Sequence, residues 1–329
     1  MPSLKVAIIN DTTTTNHYGC LMVMSNLRHL LNEAGAKVVW TWPVGLDWRK
    51  QKNKILSFPK VDLVIVNGEG TIHHGPKRWQ AEALVDFAGF AYKEFKIPVF
   101  LINATLYANE EDLNEKLKNF DGLYVRDRAS HEALDAMSIQ NQFVPDMTFA
   151  LSSELQHKQQ KPLCVVDSVM QSDVPKLKKF SQAHNADYCS MIVARPSNYS
   201  PWKKTRRFVL ETCKWFFKER DRSLDPKDFE KYLGQYQLVV TGRYHTVTMC
   251  LKNKVPFLAL ESNTPKITFL LEEVFGHSDR VISISDLEKV ELKKWQKFNE
   301  VEEKAIDAFL EKAIADNKSM IKTILGSIA

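Results

Sequence analysis

Asp62-Leu63-Val64-Ile65-Val66-Asn67-Gly68-Glu69-Gly70 decides the fold. Its short β-branched run is closed by two glycines and shows neither the length nor the 3.6-residue period of a helix. It reads as a strand buried on both faces, the pattern of a parallel sheet. Working outward, similar runs occur at Val6–Asn10, Lys37–Thr41, Pro98–Asn103 and Leu123–Val125. Between them lie amphipathic stretches: one carrying Leu21, Met24, Leu27 and Leu31, one over Trp79–Phe95, and one near Glu111–Phe120. Strands alternating with helices in this way predict a Rossmann-like α/β domain over residues 1–153.

The segment from Ser152 to Pro162 is polar and without period, and it marks a domain boundary. Beyond it the alternation restarts with strands at Leu163–Val166, Tyr188–Val193, Leu238–Thr241, Pro256–Leu260 and Val281–Ile284. Helices are expected from about Val174 and from Trp202. Residues 162–290 therefore form a second Rossmann-like domain. In the tail, 291–329, Trp295, Phe298, Ile306, Phe309, Leu310 and Ala313 recur largely at helical intervals, which predicts an amphipathic C-terminal helix.

Composition narrows the function classes. The chain has 45 Lys and Arg against 40 Asp and Glu, a net charge of +5, too mild and too scattered for a dedicated nucleic-acid binder. The five cysteines are widely spaced with no CxxC pair, so neither a disulfide framework nor a structural zinc site is expected. No stretch is long and apolar enough to span a membrane, and the N-terminus lacks the pattern of an export signal. A cytoplasmic protein is expected.

Ligands of open α/β sheets bind beyond the carboxyl ends of the strands, so the polar strand-end motifs are the candidate sites. The first is Asn10-Asp11-Thr12-Thr13-Thr14-Thr15-Asn16-His17-Tyr18-Gly19-Cys20, in which Asn16 or Thr15 either caps the next helix or contacts a ligand. The second is Asn67-Gly68-Glu69-Gly70-Thr71-Ile72-His73-His74, where Glu69 between two glycines is either an exposed turn carboxylate or a general base. It is not a dinucleotide fingerprint, because the third glycine is missing from its place. His17, His73 and His74 repeat no metal-ligand spacing, so no metal and no cofactor are expected.

The third motif, Val239-Val240-Thr241-Gly242-Arg243-Tyr244-His245-Thr246, runs a strand into a helix. The free N–H groups of the helix start, with Arg243 and His245, make a site for phosphate or carboxylate; the bland alternative is an Arg paired with a carboxylate beside a core His. The fourth, Leu260-Glu261-Ser262-Asn263-Thr264-Pro265-Lys266, offers Lys266 to the same anion.

Residues 241–267, TGRYHTVTMCLKNKVPFLALESNTPKI, resemble the C-terminal signature of the polysaccharide pyruvyl transferase family. Val125-Arg126-Asp127-Arg128-Ala129-Ser130 is similar to the family's Arg-Asp-x-x-Ser element, and Pro145-Asp146-Met147-Thr148-Phe149 to its Asp-containing element. The chain departs from the family's Asn-x-Gly-Asp loop and triple-glycine turn, having Asn16-His17-Tyr18-Gly19-Cys20 and Asn67-Gly68-Glu69-Gly70 there. The resemblance implies a GT-B-like pair of Rossmann-like domains facing a cleft and a transferase of surface-polysaccharide biosynthesis (capsule or lipopolysaccharide). It implies that Arg243 and His245 grip the anionic groups of phosphoenolpyruvate, with Arg126 a second basic position.

Around these, Thr246, Lys266 and Asn263 are expected at the donor, Asn16, His17 and His73 at an oligosaccharide acceptor, and Glu69, Asp11 and His245 as acid and base. A CMP-activated 2-keto sugar acid, Kdo or a sialic acid, presents the same carboxylate and phosphate and remains a rival donor for a GT-B-like glycosyltransferase. A non-catalytic sugar- or nucleotide-binding protein is the third reading. Finally, Trp202-Lys203-Lys204-Thr205-Arg206-Arg207-Phe208, continuing through Trp215-Phe216-Phe217-Lys218 to Arg220, interleaves basic and aromatic residues. It reads either as an ordinary amphipathic helix or as a peripheral contact with the anionic inner face of a membrane, where lipid-linked acceptors are found.

Overall fold

The computed structural model describes residues 3–153, 155, 160–195, 202, 205–220 and 222–328. Lys203, Lys204 and part of the expected linker lie outside them. The chain divides into two compact units: Met1–Thr12 with Met24–Ala150 and Lys312–Ala329, and Thr13–Val23 with Leu151–Glu311.

In chain order the first half contains β1 (Lys5–Asp11), α1 (Tyr18–Glu33), β2 (Lys37–Pro43), α2 (Lys52–Leu56), β3 (Leu63–Glu69), α3 (Trp79–Phe95), β4 (Val99–Ala104), α4 (Glu111–Lys116), β5 (Gly122–Val125), α5 (Arg128–Ala136) and β6 (Gln142–Phe143). All strand pairs are parallel, in the order β2-β1-β3-β4-β5-β6. Every residue of β3 is buried, as its unbroken apolar run requires. The core between sheet and helices is built on Val64, Val66, Leu101 and Val125, with Trp48 and Phe87 meeting edge to face at 5.1 Å.

The second half contains β7 (Lys161–Ser168), α6 (Val174–Ala183), β8 (Asp187–Cys189), α7 (Thr205–Lys214), α8 (Pro226–Leu233), β9 (Tyr236–Gly242), α9 (Tyr244–Lys252), β10 (Phe257–Leu260), α10 (Lys266–Phe275), β11 (Val281–Ile282) and α11 (Glu300–Gly326). Its sheet, again all parallel, has the order β11-β10-β9-β7-β8. In both sheets, then, the first strand lies between the second and the third. That order reverses direction between the first and third strands, and the crevice it opens there is where such sheets bind ligands.

Two expected elements are shorter than the sequence suggests. The strand expected to reach Val193 ends at Cys189, after which Ser190 and the Met191 N–H turn to bond Asp167. The C-terminal helix begins at Glu300, because Asn299 and Glu302 form a capping box: Asn299 Oδ1 accepts from the Glu302 N–H and Glu302 Oε2 from the Asn299 N–H, both at 2.9 Å. Trp295 sits in a short 3₁₀ turn before it and packs on the second unit's core. Glu302 also takes both bonds of the Arg280 guanidinium, at 2.7 and 3.0 Å. Arg280 donates further to the carbonyls of Phe257 and Lys297 and stacks over Phe298. Burial would raise the Glu302 carboxyl, but the Arg280 and Asn299 bonds outweigh it and hold the group below its ordinary value.

Candidate functional site

In the first unit the switch point falls between the ends of β1 and β3. Asn10 and Glu69 both adopt left-handed backbone there, with φ of 65° and 43°. Asn tolerates that region; Glu does so at a cost, so Glu69 is a strained residue at a place where the topology favours a ligand. Its buried carboxylate accepts from Thr12 Oγ1 at 2.6 Å and Asn67 Nδ2 at 3.0 Å. Asn67 is tied in turn by Asn10 Nδ2, which donates to its carbonyl at 2.6 Å. Asp11 is buried and pairs with Arg28 at 2.9 Å.

Elsewhere in that unit, Arg126 is a core residue: it meets Asp146 at 2.6 Å, and its Nε donates to Thr105. His73 lies with its Nδ1 2.7 Å from that of His74, and Arg78 bonds its other nitrogen.

In the second unit the switch point falls between the ends of β7 and β9, where Asp167 and Arg243 form a two-pronged pair. Arg243 Nε reaches Asp167 Oδ1 at 3.0 Å and Nη2 reaches Oδ2 at 2.7 Å. Asp167 is itself held by Ser190 Oγ at 2.8 Å and the Met191 N–H at 3.2 Å. This fork fixes the plane of the guanidinium and directs its remaining edge, Nη1, away from the carboxylate. Gly242 makes the turn feasible, since a Cβ there would overlap Ser168.

Around this pair stand His17, His245 and Lys266. His17 directly precedes α1, and its Nδ1 faces the Cys20 N–H at 3.5 Å. His245 is in the first turn of α9, a helix in which every residue is buried. The two rings lie edge to face, 5.5 Å apart, and His245 packs directly on Gly19, whose missing side chain leaves it room. Burial, then the charges of His245, Arg243 and Lys266, push the His17 imidazole well below its ordinary value and keep it neutral. Lys266 Nζ donates to Asn263 Oδ1 at 3.2 Å. Thr246 is fully buried behind them, and Asn16 is buried with its carbonyl accepting from the Val193 N–H at 3.0 Å.

The structure thus collects His17, Arg243, His245 and Lys266 in one corner of the second unit, with Arg243 in the carboxylate pair that the sequence left as the alternative, while Asp11, Glu69, His73 and Arg126 belong to the first. Sequence reasoning missed Asp167, although Val165-Val166-Asp167 is a strand end like those it searched. It also missed Cys20: among the described residues one ligand atom each of His17, Cys20 and His245 lies within 4.8 Å of the others, and His17-x-x-Cys20 was the available signal. A cavity of about 850 Å³ adjoins the fork, lined by Tyr18, Asp167, Tyr188, Lys218, Arg222 and Phe229 among others, with the Tyr18 and Phe229 rings stacked at 4.4 Å.

The family model described as polysaccharide pyruvyl transferase matches residues 17–264. No curated protein matches the chain in sequence. Among solved structures it is similar to a putative UDP-N-acetylglucosamine 2-epimerase from Listeria monocytogenes, at 12% identity and a TM-score of 0.57, over 99% of this chain and 97% of that one. It is also similar to S. aureus MnaA in a co-structure with UDP, at 11% identity and 0.56 over 98% and 97%. The calicheamicin glycosyltransferase CalG4 aligns at 11% identity and 0.51 over 100% and 98%. At such identities the likeness is one of fold, and that fold is the GT-B-like one expected from the sequence.

Proposed function

We propose, from the premise that this chain belongs to the polysaccharide pyruvyl transferase family, that it is a transferase moving the pyruvyl group of phosphoenolpyruvate onto two hydroxyls of a sugar as a ketal. The observation that carries this reading is the oriented Arg243. A carboxylate fixes it at the switch point of the second sheet, with Lys266 and the start of α9 nearby, which suits a small donor bearing two anionic groups.

In the proposed reaction Arg243 and Lys266 hold carboxylate and phosphate, and His245 delivers a proton to the methylene carbon. The positive character that develops at the adjacent carbon is met by one sugar hydroxyl. Phosphate leaves with the electrons of its C–O bond, and the second hydroxyl closes the ketal, each hydroxyl giving up its proton. Within the first unit Glu69, held by Thr12 and Asn67, is the carboxylate best suited to act as a base; Asp11 is less suited because Arg28 already matches its charge.

One observation favours a second donor. Phosphoenolpyruvate is far smaller than the 850 Å³ cavity beside Asp167, whose stacked Tyr18 and Phe229 offer aromatic surface to a nucleotide. A CMP-activated 2-keto sugar acid would use the same Arg243. Calorimetric titration with phosphoenolpyruvate and, separately, CMP tests both. Loss of one charge-assisted contact in Arg243→Ala is expected to weaken phosphoenolpyruvate binding by roughly 10- to 100-fold. Binding of CMP alone would move the assignment to a keto-sugar-acid glycosyltransferase, and ligand binding with no turnover of either donor would favour a non-catalytic protein.

Peripheral membrane contact is part of the same reading. Helix α7 buries no residue, and Phe216 and Phe217 beyond it are 54% and 77% exposed among Arg206, Lys214, Lys218 and Arg220. None of the described helices is long and apolar enough to cross a membrane.

A further inference from the structure

We propose that His17, Cys20 and His245 form a binding site for a divalent transition metal of the zinc class. His17 and Cys20 are three apart at the start of α1, so their side chains leave the same face of one turn, and His245 comes to them from the first turn of α9. The approach is possible only because residue 19 is glycine: a Cβ there would occupy the space of the His245 ring. One ligand atom from each residue lies within 4.8 Å of the other two. Metal–nitrogen and metal–sulfur bonds of about 2.0–2.3 Å require the atoms to close by roughly 1 Å, within the reach of side-chain torsions.

The donor set decides the metal. Two imidazoles and a thiolate are unsuited to magnesium or calcium, which take oxygen ligands, and suit zinc or its neighbours in the first transition row. Three protein ligands leave a fourth tetrahedral position for water or an anionic oxygen. Asp167 matches the charge of Arg243, and the Cys20 thiolate would offset half of the metal's. A metal held there would take up the His245 imidazole, so metal binding and the proton delivery proposed above exclude one another. The site does not depend on the identity of the donor, so metal binding is read without any substrate.

The experiment strips the full-length protein with a chelator, then measures zinc by competition with a chromophoric chelator and follows added cobalt(II) by its absorption. One zinc per chain is expected, with a thiolate-to-cobalt charge-transfer band. In Cys20→Ser the band should vanish and zinc affinity should fall at least roughly 100-fold, the upper end of what losing a mere outer-shell partner costs. His17→Gln should weaken zinc similarly while keeping the thiolate, and circular dichroism confirms that both variants fold. No zinc bound by the parent, or parent-like affinity and band in folded Cys20→Ser, would overturn the site; should that variant not fold, parent-like affinity in His17→Gln would do the same.

Discussion

Gly19→Ala pits helix propensity against packing in a way that gives the packing argument a sign. Gly19 is the second residue of α1, and replacing a helical glycine by alanine ordinarily stabilises by up to about 1 kcal/mol. Here the added Cβ meets the Cβ, Cγ and Nδ1 of His245. These atoms lie near the backbone of a helix buried along its whole length, not at the tip of a flexible chain, so they cannot swing aside. Overpacking of this kind costs about 1–3 kcal/mol. Because the overlap is with the root of the side chain, the upper part of that range applies, and the net expectation is a loss of about 1–2 kcal/mol. Urea unfolding followed by tryptophan fluorescence reads this as a lower midpoint, and phosphoenolpyruvate titration should show weaker binding as the imidazole is displaced. A midpoint equal to or above the parent's, with unchanged ligand affinity, would refute the claim that this glycine exists to admit His245.

Two further predictions concern other regions. The folded Glu302 carboxyl lies below its ordinary value, so its share of stability is present above the unfolded carboxyl range near pH 4.3 and is lost as pH falls through the folded value. Glu302→Gln should cost about 3 kcal/mol at neutral pH, the low end for breaking a buried pair because Arg280 keeps its carbonyl partners, and should flatten the acid limb of a stability-against-pH curve. For the membrane reading, the parent should float with anionic vesicles, and Arg206→Glu with Arg207→Glu should abolish that; indifference to both changes removes the proposal.

Much of the fold is legible because parallel strands announce themselves. Leu63–Val66 and Leu238–Val240 are apolar without interruption since both faces of each sheet are covered, and a helix must return the chain between them. The strand order is not legible, because it depends on which edges pair, and pairing energies lie between segments far apart in the chain. The same distinction applies to the candidate site. Arg243 stands at a visible strand end, while Asp167 precedes it by 76 residues and meets it only through the register that pairs Val166 with Thr241. Gly19 looked like part of a polar loop; its role depends on His245, which no local pattern connects to it. The start of α11 was available in Asn299-x-x-Glu302, and apolar spacing from Trp295 onward concealed it by continuing the period across a turn.

The membership of Lys312–Ala329 in the first unit bears on how the protein is made. Asn317, wholly buried, donates to the Pro145 carbonyl at 3.0 Å, and Met320, Ile321, Ile324 and Leu325 beside it are buried as well. A ribosome releases the strands of the first sheet early but these side chains only after the second unit. The N-terminal unit therefore waits, incomplete and with apolar surface uncovered, while the whole of the second is synthesised. Its final packing waits on residues made after the second unit, so chaperone demand and sensitivity to premature termination fall on the part of the protein that was translated first.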